Sequence, residues 1–296
     1  MKKILLIINP KAGKMKTKTA LFDIVNTFYS SGYEVSVAVS QKKNHAKEIA
    51  REALSKKQYD FLVCCGGDGT LNEVVNGIMT SKCIVPLGYI PAGSTNDFAV
   101  TAGLPKDIKK CAQGIATGKP VSLDIGLFGS EYFCYVASFG AFTQTSYQTP
   151  QANKNTLGHF AYILEGLKDL TQIKPYHVKF TADGKVYEGD YLFGAISNTT
   201  SIGGFLKLNP DVVKLDDGLF EVLLVKNPVN PLDVQQLLLG LANSDFSNNN
   251  LFEFFTAKSV TIETKDAFDW SLDGEHTKGK EKIQIDNFKG AIKLIK

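Results

Sequence analysis

Residues 64–77 read CCGGDGTLNEVVNG, an aspartate set in a glycine-rich turn between an apolar run and a helical pattern. Glycines 66, 67 and 69 let backbone amides approach a ligand closely, and the following helix start adds positive potential. Such a turn suits phosphate oxygens. A carboxylate among phosphates repels them unless a cation lies between, and Mg²⁺ held through water is the obvious one. Two readings of Asp68 therefore stand side by side: a member of a metal-assisted phosphate site, or a plain turn and cap residue. The spacing fits neither G-x-x-x-x-G-K-[ST] nor G-x-G-x-x-G. Thr70 and Glu73 match a capping box, which predicts a helix from Leu71 to Met79.

Other loops add to the same chemistry. NPKAGK, residues 9–14, follows the first apolar run and offers backbone amides plus a lysine charge, or serves as an ordinary strand-to-helix turn. PAGSTNDF supplies the Ser94 hydroxyl and Asp97, and LDIG supplies Asp124 just after a short strand. Three carboxylates on loops near one rim suit a shared hydrated cation better than three separate caps. His45, His159, His177 and His276 show no metal-ligand spacing and read as surface or turn residues. Trp270, alternating with Phe268 and Leu272, reads as strand core.

These residues need elements to hold them. Up to about residue 125, strands alternate with helices: KILLIIN, KTALFDIVNTFYSSG, YEVSVAVS, HAKEIAREALSKK, DFLVCC and VPLGYIPAG. That alternation predicts a parallel sheet covered on both faces, with ligand loops beyond the carboxyl ends of the strands. Adjacent Cys64 and Cys65 point to opposite faces of a strand, and the five cysteines read as buried reduced thiols. From Asp124 the pattern turns to antiparallel strands, with ADGK and DNFKG as hairpin turns and YFCYVASFGAF as one strand. Two helices interrupt them, one over about 157–171 and one at NPLDVQQLLLGLA, where Asn230 caps and Pro231 takes the first position.

Composition sets limits. The 296 residues are 44% hydrophobic, enough for two cores, and a net charge of +3 is too weak a bias for nucleic acid. ILLII is too short for a signal-peptide core, so the chain reads as cytoplasmic, with a mild attraction to anionic headgroups.

Taken in order, NPKAGK, GGDGTLNEVVNG, PAGSTNDF, LDIG, KLDDGLFEV and LDGE resemble the diacylglycerol kinase catalytic-domain family. The likeness is to its soluble bacterial lipid kinases, which are similar to sphingosine kinases, and runs from residue 4 to about 290. GGDG alone also occurs in NAD kinases; the later motifs separate the two. The resemblance implies an α/β nucleotide-binding domain with a parallel sheet, NAD kinase/diacylglycerol kinase-like, over residues 1–125. A β-sandwich-like substrate domain follows over 126–296, with the active site in the cleft. It implies ATP held by Asn9, Pro10, Lys11, Ala12, Gly13, Ser40, Gly66, Gly67, Asp68, Gly69, Thr70, Leu71, Asn72 and Ser94. Lys14 matches the lysine of the phosphate loop, and Asp68, Asp97 and Asp124 match acids of an Mg²⁺–water network. A second, structural Mg²⁺ is implied at the Asp217 side chain with main-chain oxygens of Lys214 and Leu219; otherwise DDG reads as a hairpin turn.

DWSLDGE matches the family's last catalytic motif, so Asp273 or Glu275 takes the proton from the acceptor hydroxyl. Asp-Gly is also a common turn, whereas Glu275 has no turn role and is the first choice. The chain departs from the family pattern at Ser94, where threonine is usual, and at Glu165, where close relatives carry a basic residue; Lys168 lies one turn on. The resulting expectation is an ATP- and Mg²⁺-dependent kinase of a membrane lipid alcohol, foremost diacylglycerol giving phosphatidic acid, peripheral at the membrane while acting. Kinases of a sphingoid base or of an NAD-like metabolite, and a non-catalytic nucleotide sensor, are the rivals. Edge strands leave pairing into a homodimer open.

Overall fold

Apolar runs without alternation mark strands buried on both faces, and the first sheet is built from them. In a computed structural model describing residues 1–81, 83–140, 174–202, 206–244, 246 and 249–296, β1 (Lys2–Ile8) is buried from Ile4 onward. β2 (Tyr33–Val39) is an edge strand, while β3 (Phe61–Gly66) and β4 (Leu87–Pro91) are buried throughout. They pair in parallel in the order β2-β1-β3-β4. Cys64 and Cys65 do face opposite sides: one packs with Ala46, Ala50 and Leu54, the other with Ile24 and Phe28. All five cysteines are free, four of them buried and Cys83 partly so.

The connections are α1 (Lys16–Ser30), α2 (His45–Ser55), α3 (Asp68–Met79), α4 (Asp97–Thr101) and α5 (Ile108–Thr117). α2 buries Ala46, Ala50, Ala53 and Leu54, a single helical stripe, against α3. A Cβ on Gly77 of α3 would sit 2.6 Å from the Lys47 carbonyl, so glycine sets how closely these helices approach.

The second half is antiparallel. β5 (Pro120–Phe128), β6 (Glu131–Phe133), β7 (Val136–Gly140), β8 (Tyr176–Ala182) and β9 (Lys185–Ser197) are followed by a two-residue ladder of β10 (Ser201–Ile202) with β11 (Leu206–Lys207). After these come β12 (Phe220–Lys226), α6 (Pro231–Asn243), β13 (Phe252–Ala257), β14 (Ser259–Thr264), β15 (Asp269–Leu272), β16 (Glu275–Lys278) and β17 (Lys282–Ile295). β9 pairs β8 along its first half, then β7 and β12 along its second. Phe139, Phe180, Phe220 and Trp270 fill the core of this half, so the tryptophan is strand core as its alternation predicts.

The two halves share a strand. β17 pairs β14 at its start and β5 along most of its length, and its last residues, Leu294 and Ile295, lie parallel to β4. One buried cluster accordingly runs from Leu62 and Val74 to Leu237 and Phe252.

Several expectations are corrected. The helix after the glycine turn starts at Asp68, capped by Gly67, not at Leu71, and the capping box does not form. Glu73 instead accepts hydrogen bonds from the Asn44 and Ala46 amides at 2.8 and 3.0 Å, capping α2 because Asn44 sits at φ 66° with no side-chain cap of its own. Asp124 lies inside β5 rather than after a strand. Residues 131–140 form two strands, not one. DNFKG is no hairpin: the register of β17 against β5 shifts between Phe288 and Ile292, with Gly290 at φ 59°, so the strand bends and continues. ADGK does turn between β8 and β9, with Asp183 and Gly184 at φ 46° and 84°. The helix expected over 157–171, with Glu165, Lys168 and His159, lies outside the described residues, as does the Lys14 side chain.

Candidate active site

Three loops beyond the strand ends meet, and the closeness of their backbones requires small residues. A Cβ on Gly13, at φ 57°, would lie 1.9 Å from the Ala92 carbonyl oxygen. A Cβ on Gly93 would lie 2.7 Å from Gly67 Cα. The Ala92 amide donates to the Gly66 carbonyl at 2.7 Å, and Asn9 Nδ2 donates to Thr70 Oγ1 at 3.0 Å. Asn96, in the left-handed region at φ 54°, ties its own loop by exchanging hydrogen bonds with Gly93. The segments 9–13, 66–70 and 92–97 thus form one rim. At its centre α3 begins with no side-chain cap, leaving the helix start for an anion.

Of the remaining ligand candidates, Ser40 is buried and donates to the Ile8 carbonyl, and Ser94 is exposed on the Gly93 loop. Pro10, Lys11 and Ala12 occupy the turn after β1, where the Lys11 amide donates to Asn9 Oδ1. Leu71 is core, while Asn72 reaches across to the second half.

The acids divide into two groups. Asp68 Oδ2 accepts from the Asp97 amide at 3.2 Å, and Asp97 Oδ1 accepts from Ser201 Oγ at 3.1 Å. Burial, with the charges of Asp97 and then Asp273 adding, pushes the Asp68 carboxyl up to about 7. Its Oδ1 is buried with no hydrogen-bond partner among the described residues. An unpartnered carboxylate oxygen among acids is what a cation would relieve, so these residues fit a hydrated Mg²⁺.

Asp124 belongs elsewhere. Its two oxygens accept from the Gly218 and Gly290 amides, each at 2.6 Å, and its own amide donates to the Leu215 carbonyl. It holds the turn that carries Lys214, Asp217 and Leu219; burial raises its carboxyl, against those two amides. In that turn Asp217 Oδ1 accepts from the Leu219 amide at 2.9 Å. Among the described residues no three His, Cys, Asp or Glu side chains gather tightly enough to hold a bare ion. A metal at either group would therefore keep water, main-chain or phosphate oxygens.

Asp273 and Glu275 part ways. Asp273 turns the chain between β15 and β16 at φ 50° and is buried. Its Oδ1 accepts from the Tyr135 and Val136 amides, and its Oδ2 from the Cys134 amide and Asn72 Nδ2, at 2.6–3.1 Å. Burial raises this carboxyl and those four donors oppose the rise. Four donors on two oxygens occupy its lone pairs. Glu275 is exposed, its Oε1 3.4 Å from where a Cβ on Gly69 would stand. Its Oε2 accepts from Lys43 Nζ at 2.9 Å, and that bond raises the lysine. The glutamate therefore stands over the glycine rim from the opposite half.

Lys43 was not singled out in the sequence, where it is one of two lysines in QKKNH with nothing to distinguish it. Glu221 was missed too. It sits within FEVLLVK on β12, and an acid inside a strand whose neighbours are all buried was the available signal. Burial, with Asp217 and Asp124 adding, pushes it up to about 8 against its own backbone N–H.

A glycine rim at a helix start, facing acids and an accessible carboxylate, has the parts of a phosphotransferase site, and the similarity to known proteins makes the class a kinase with an alcohol acceptor. Residues 3–128 match the model of the diacylglycerol kinase catalytic domain, and residues 137–296 that of the YegS C-terminal NAD kinase beta sandwich-like domain. A diacylglycerol kinase of Bacillus subtilis (strain 168) is 33% identical over 277 residues, covering 93% of this chain and 90% of that protein. One of Staphylococcus epidermidis is 35% identical over 275 residues, 93% and 86% of the two chains. The crystal structure of a diacylglycerol kinase from Bacillus anthracis str. Sterne superposes with a TM-score of 0.76 at 26% identity, over 99% of this chain and 96% of that one. A second structure from that strain reaches 0.82 at 28% identity, over 99% and 95%. The chain belongs to the diacylglycerol kinase catalytic-domain family.

Proposed function

We propose that this protein transfers the γ-phosphate of ATP to the hydroxyl of a membrane lipid, most suitably diacylglycerol, giving phosphatidic acid. Residues 1–125 would bind the nucleotide and 126–296 would supply the acceptor side. The observation that carries the reading is Glu275 standing over Gly69, a carboxylate of one half above the phosphate-type turn of the other. The relatives that bear the name diacylglycerol kinase, similar over nearly the whole chain, support the choice of acceptor.

The rim amides of 9–13 and 66–70, with Thr70, Asn72, Ser40 and Ser94, would seat the phosphates and ribose side, and Lys14 would offset charge on the transferring group. Asp68, with Asp97, would hold Mg²⁺ through water, and Asp217 with the main-chain oxygens of Lys214 and Leu219 would hold a second, structural ion. The first ion, when bound, neutralises phosphate charge and aligns the γ-phosphoryl group. Glu275 accepts the proton of the lipid hydroxyl as the new O–P bond forms and the bond to ADP breaks. Asp273 has no lone pair to offer and instead fixes the turn that aims Glu275. Asp124 braces the Asp217 turn and acts on the first ion only through that frame.

The test offers radiolabelled ATP and Mg²⁺ with extracted lipids, and NAD in parallel. Label in a chloroform-soluble phospholipid made by the wild type, and nearly abolished by Asp68→Asn with its fold retained, is the expected result. Label appearing in NAD phosphate, or near-normal lipid turnover by that variant, overturns the reading.

A further inference from the structure

Glu221 poses a problem that the reaction does not use. It is 1% exposed, on a strand whose other residues are apolar up to Val225, and neither carboxylate oxygen finds a hydrogen-bond partner elsewhere in the described residues. Its main chain is satisfied: it pairs with Ser197 on one side and Thr256 on the other, and its carbonyl accepts from Ser197 Oγ. The cost therefore sits in the side chain alone. An unpaired buried carboxylate is among the more expensive groups a fold can carry, and such groups are normally paired or ligated.

The surroundings supply oxygens rather than donors. Glu221 lies within electrostatic reach of Asp217 and Asp124. Asn287, 7% exposed, donates Nδ2 to the Leu219 carbonyl at 3.1 Å and leaves its Oδ1 buried without a partner among the described residues. Asp124 is itself an acceptor, with one oxygen on the Gly218 amide and the other on the Gly290 amide, and brings Glu221 no donor. Lys289 passes the turn with its aliphatic carbons, 3.1–3.5 Å from a Cβ position on Gly218. Two buried side chains from different strands thus keep unpaired oxygens beside the turn of residues 214–219: Asn287 bonds the Leu219 carbonyl, and Glu221 follows Leu219 by two residues in the chain. Hard divalent cations take oxygen ligands, and Mg²⁺ keeps several waters that can bridge to carboxylates too far off for direct contact.

We propose that Glu221, with Asn287 Oδ1, completes the cation site at the Asp217 turn through bridging water, and that the ion supplies the charge this carboxylate lacks. The proposal rests on the second Mg²⁺ of the reading above but not on the kinase reaction. Glu221 is then the member of the site that ties the ion to the sheet shared by β9, β12 and β13. Its loss weakens the ion and the ion's grip on the fold together.

The experiment uses the full chain without nucleotide or lipid, in an Asp68→Asn background so that the first site does not contribute. Mg²⁺ is titrated by calorimetry, and hydrogen exchange of residues 214–222 is followed with and without the ion. The parent should bind one Mg²⁺ and slow exchange across that segment. Adding Glu221→Gln, which keeps shape and removes charge, should weaken Mg²⁺ about tenfold or more and erase the added protection, while Glu221→Asp, which keeps charge with shorter reach, recovers part of both. If Glu221→Gln does not fold, Glu221→Asp and Asn287→Ala carry the same comparison, each expected to weaken Mg²⁺ by a smaller factor. Equal Mg²⁺ affinity in the parent, Glu221→Gln and Asn287→Ala overturns the proposal, as does Mg²⁺ binding that survives Asp217→Asn. A wild type that phosphorylates no lipid, beside Asp68→Asn variants that show this pattern, would refute the kinase reading and leave the cation site standing.

Discussion

Two carboxylates two residues apart sit in opposite surroundings: one is buried among donors and the other is exposed. Asp273 accepts from three main-chain amides and Asn72, whereas Glu275 meets the exposed ammonium of Lys43. Glu275→Gln is expected to lower kcat by about 10²–10⁴-fold with the ATP dissociation constant unchanged. Asp273→Asn should lower melting temperature and activity together, because an amide NH₂ cannot accept from the backbone donors it would face. Calorimetry beside a transfer assay separates the two patterns; equal stability loss in both variants would sink the assignment. Asp68 gives a pH test with a fixed sign. Its carboxyl is pushed up to about 7 from an ordinary 3.8, so between those values the folded state holds a proton the unfolded state has released. Stability in EDTA therefore falls as pH rises through that window, and flattens above it. The melting temperature of Asp68→Asn minus that of the wild type should grow from pH 5 to pH 7.5; a constant difference would show that Asp68 does not titrate there.

At the scale of elements, the start of α3 carries no side-chain cap, and the glutamate one turn in serves another helix. Glu73, one turn into α3, caps the neighbouring α2 through the Asn44 and Ala46 amides. Glu73→Ala is therefore expected to cost about 1 kcal/mol, read as a lowered midpoint in urea with an unchanged slope, and to leave α3 intact by hydrogen exchange. A loss confined to α3 would restore the capping-box reading. The T-x-x-E spacing was legible in the sequence, but which helix the glutamate caps depends on a contact between two helices that no local pattern records. The strands and helices up to β4 were likewise readable from period alone. α5 was not foreseen, although its Asp107 cap and the spacing of Cys111, Ala112 and Ile115 were there to be read.

At the scale of the molecule, β17 joins the two halves. Ile292 and Leu294 are buried where that strand runs between β5 and β4. Leu294→Ala should cost about 2–5 kcal/mol and move a single calorimetric transition. A wild-type trace with two transitions, only one of them moved, would mean that the halves unfold independently. The shared strand also explains why the glycine rim and Glu275 keep a fixed separation in the folded chain: both hang from one continuous set of hydrogen-bonded strands.

The sequence by itself determined the parallel first sheet, the glycine turn and the identity of the acids, since period, turn chemistry and residue type are local properties. It also carried the family, through motifs in a fixed order. Only the tertiary structure decided which acids stand together. Asp124 was tied to the amides of Gly218 and Gly290 beside the Asp217 turn, Asp273 was sealed by backbone donors, and Glu221 was buried with no partner for its oxygens elsewhere among the described residues. Burial and long-range contact set the charge state of a carboxylate, and neither is written in the residues beside it.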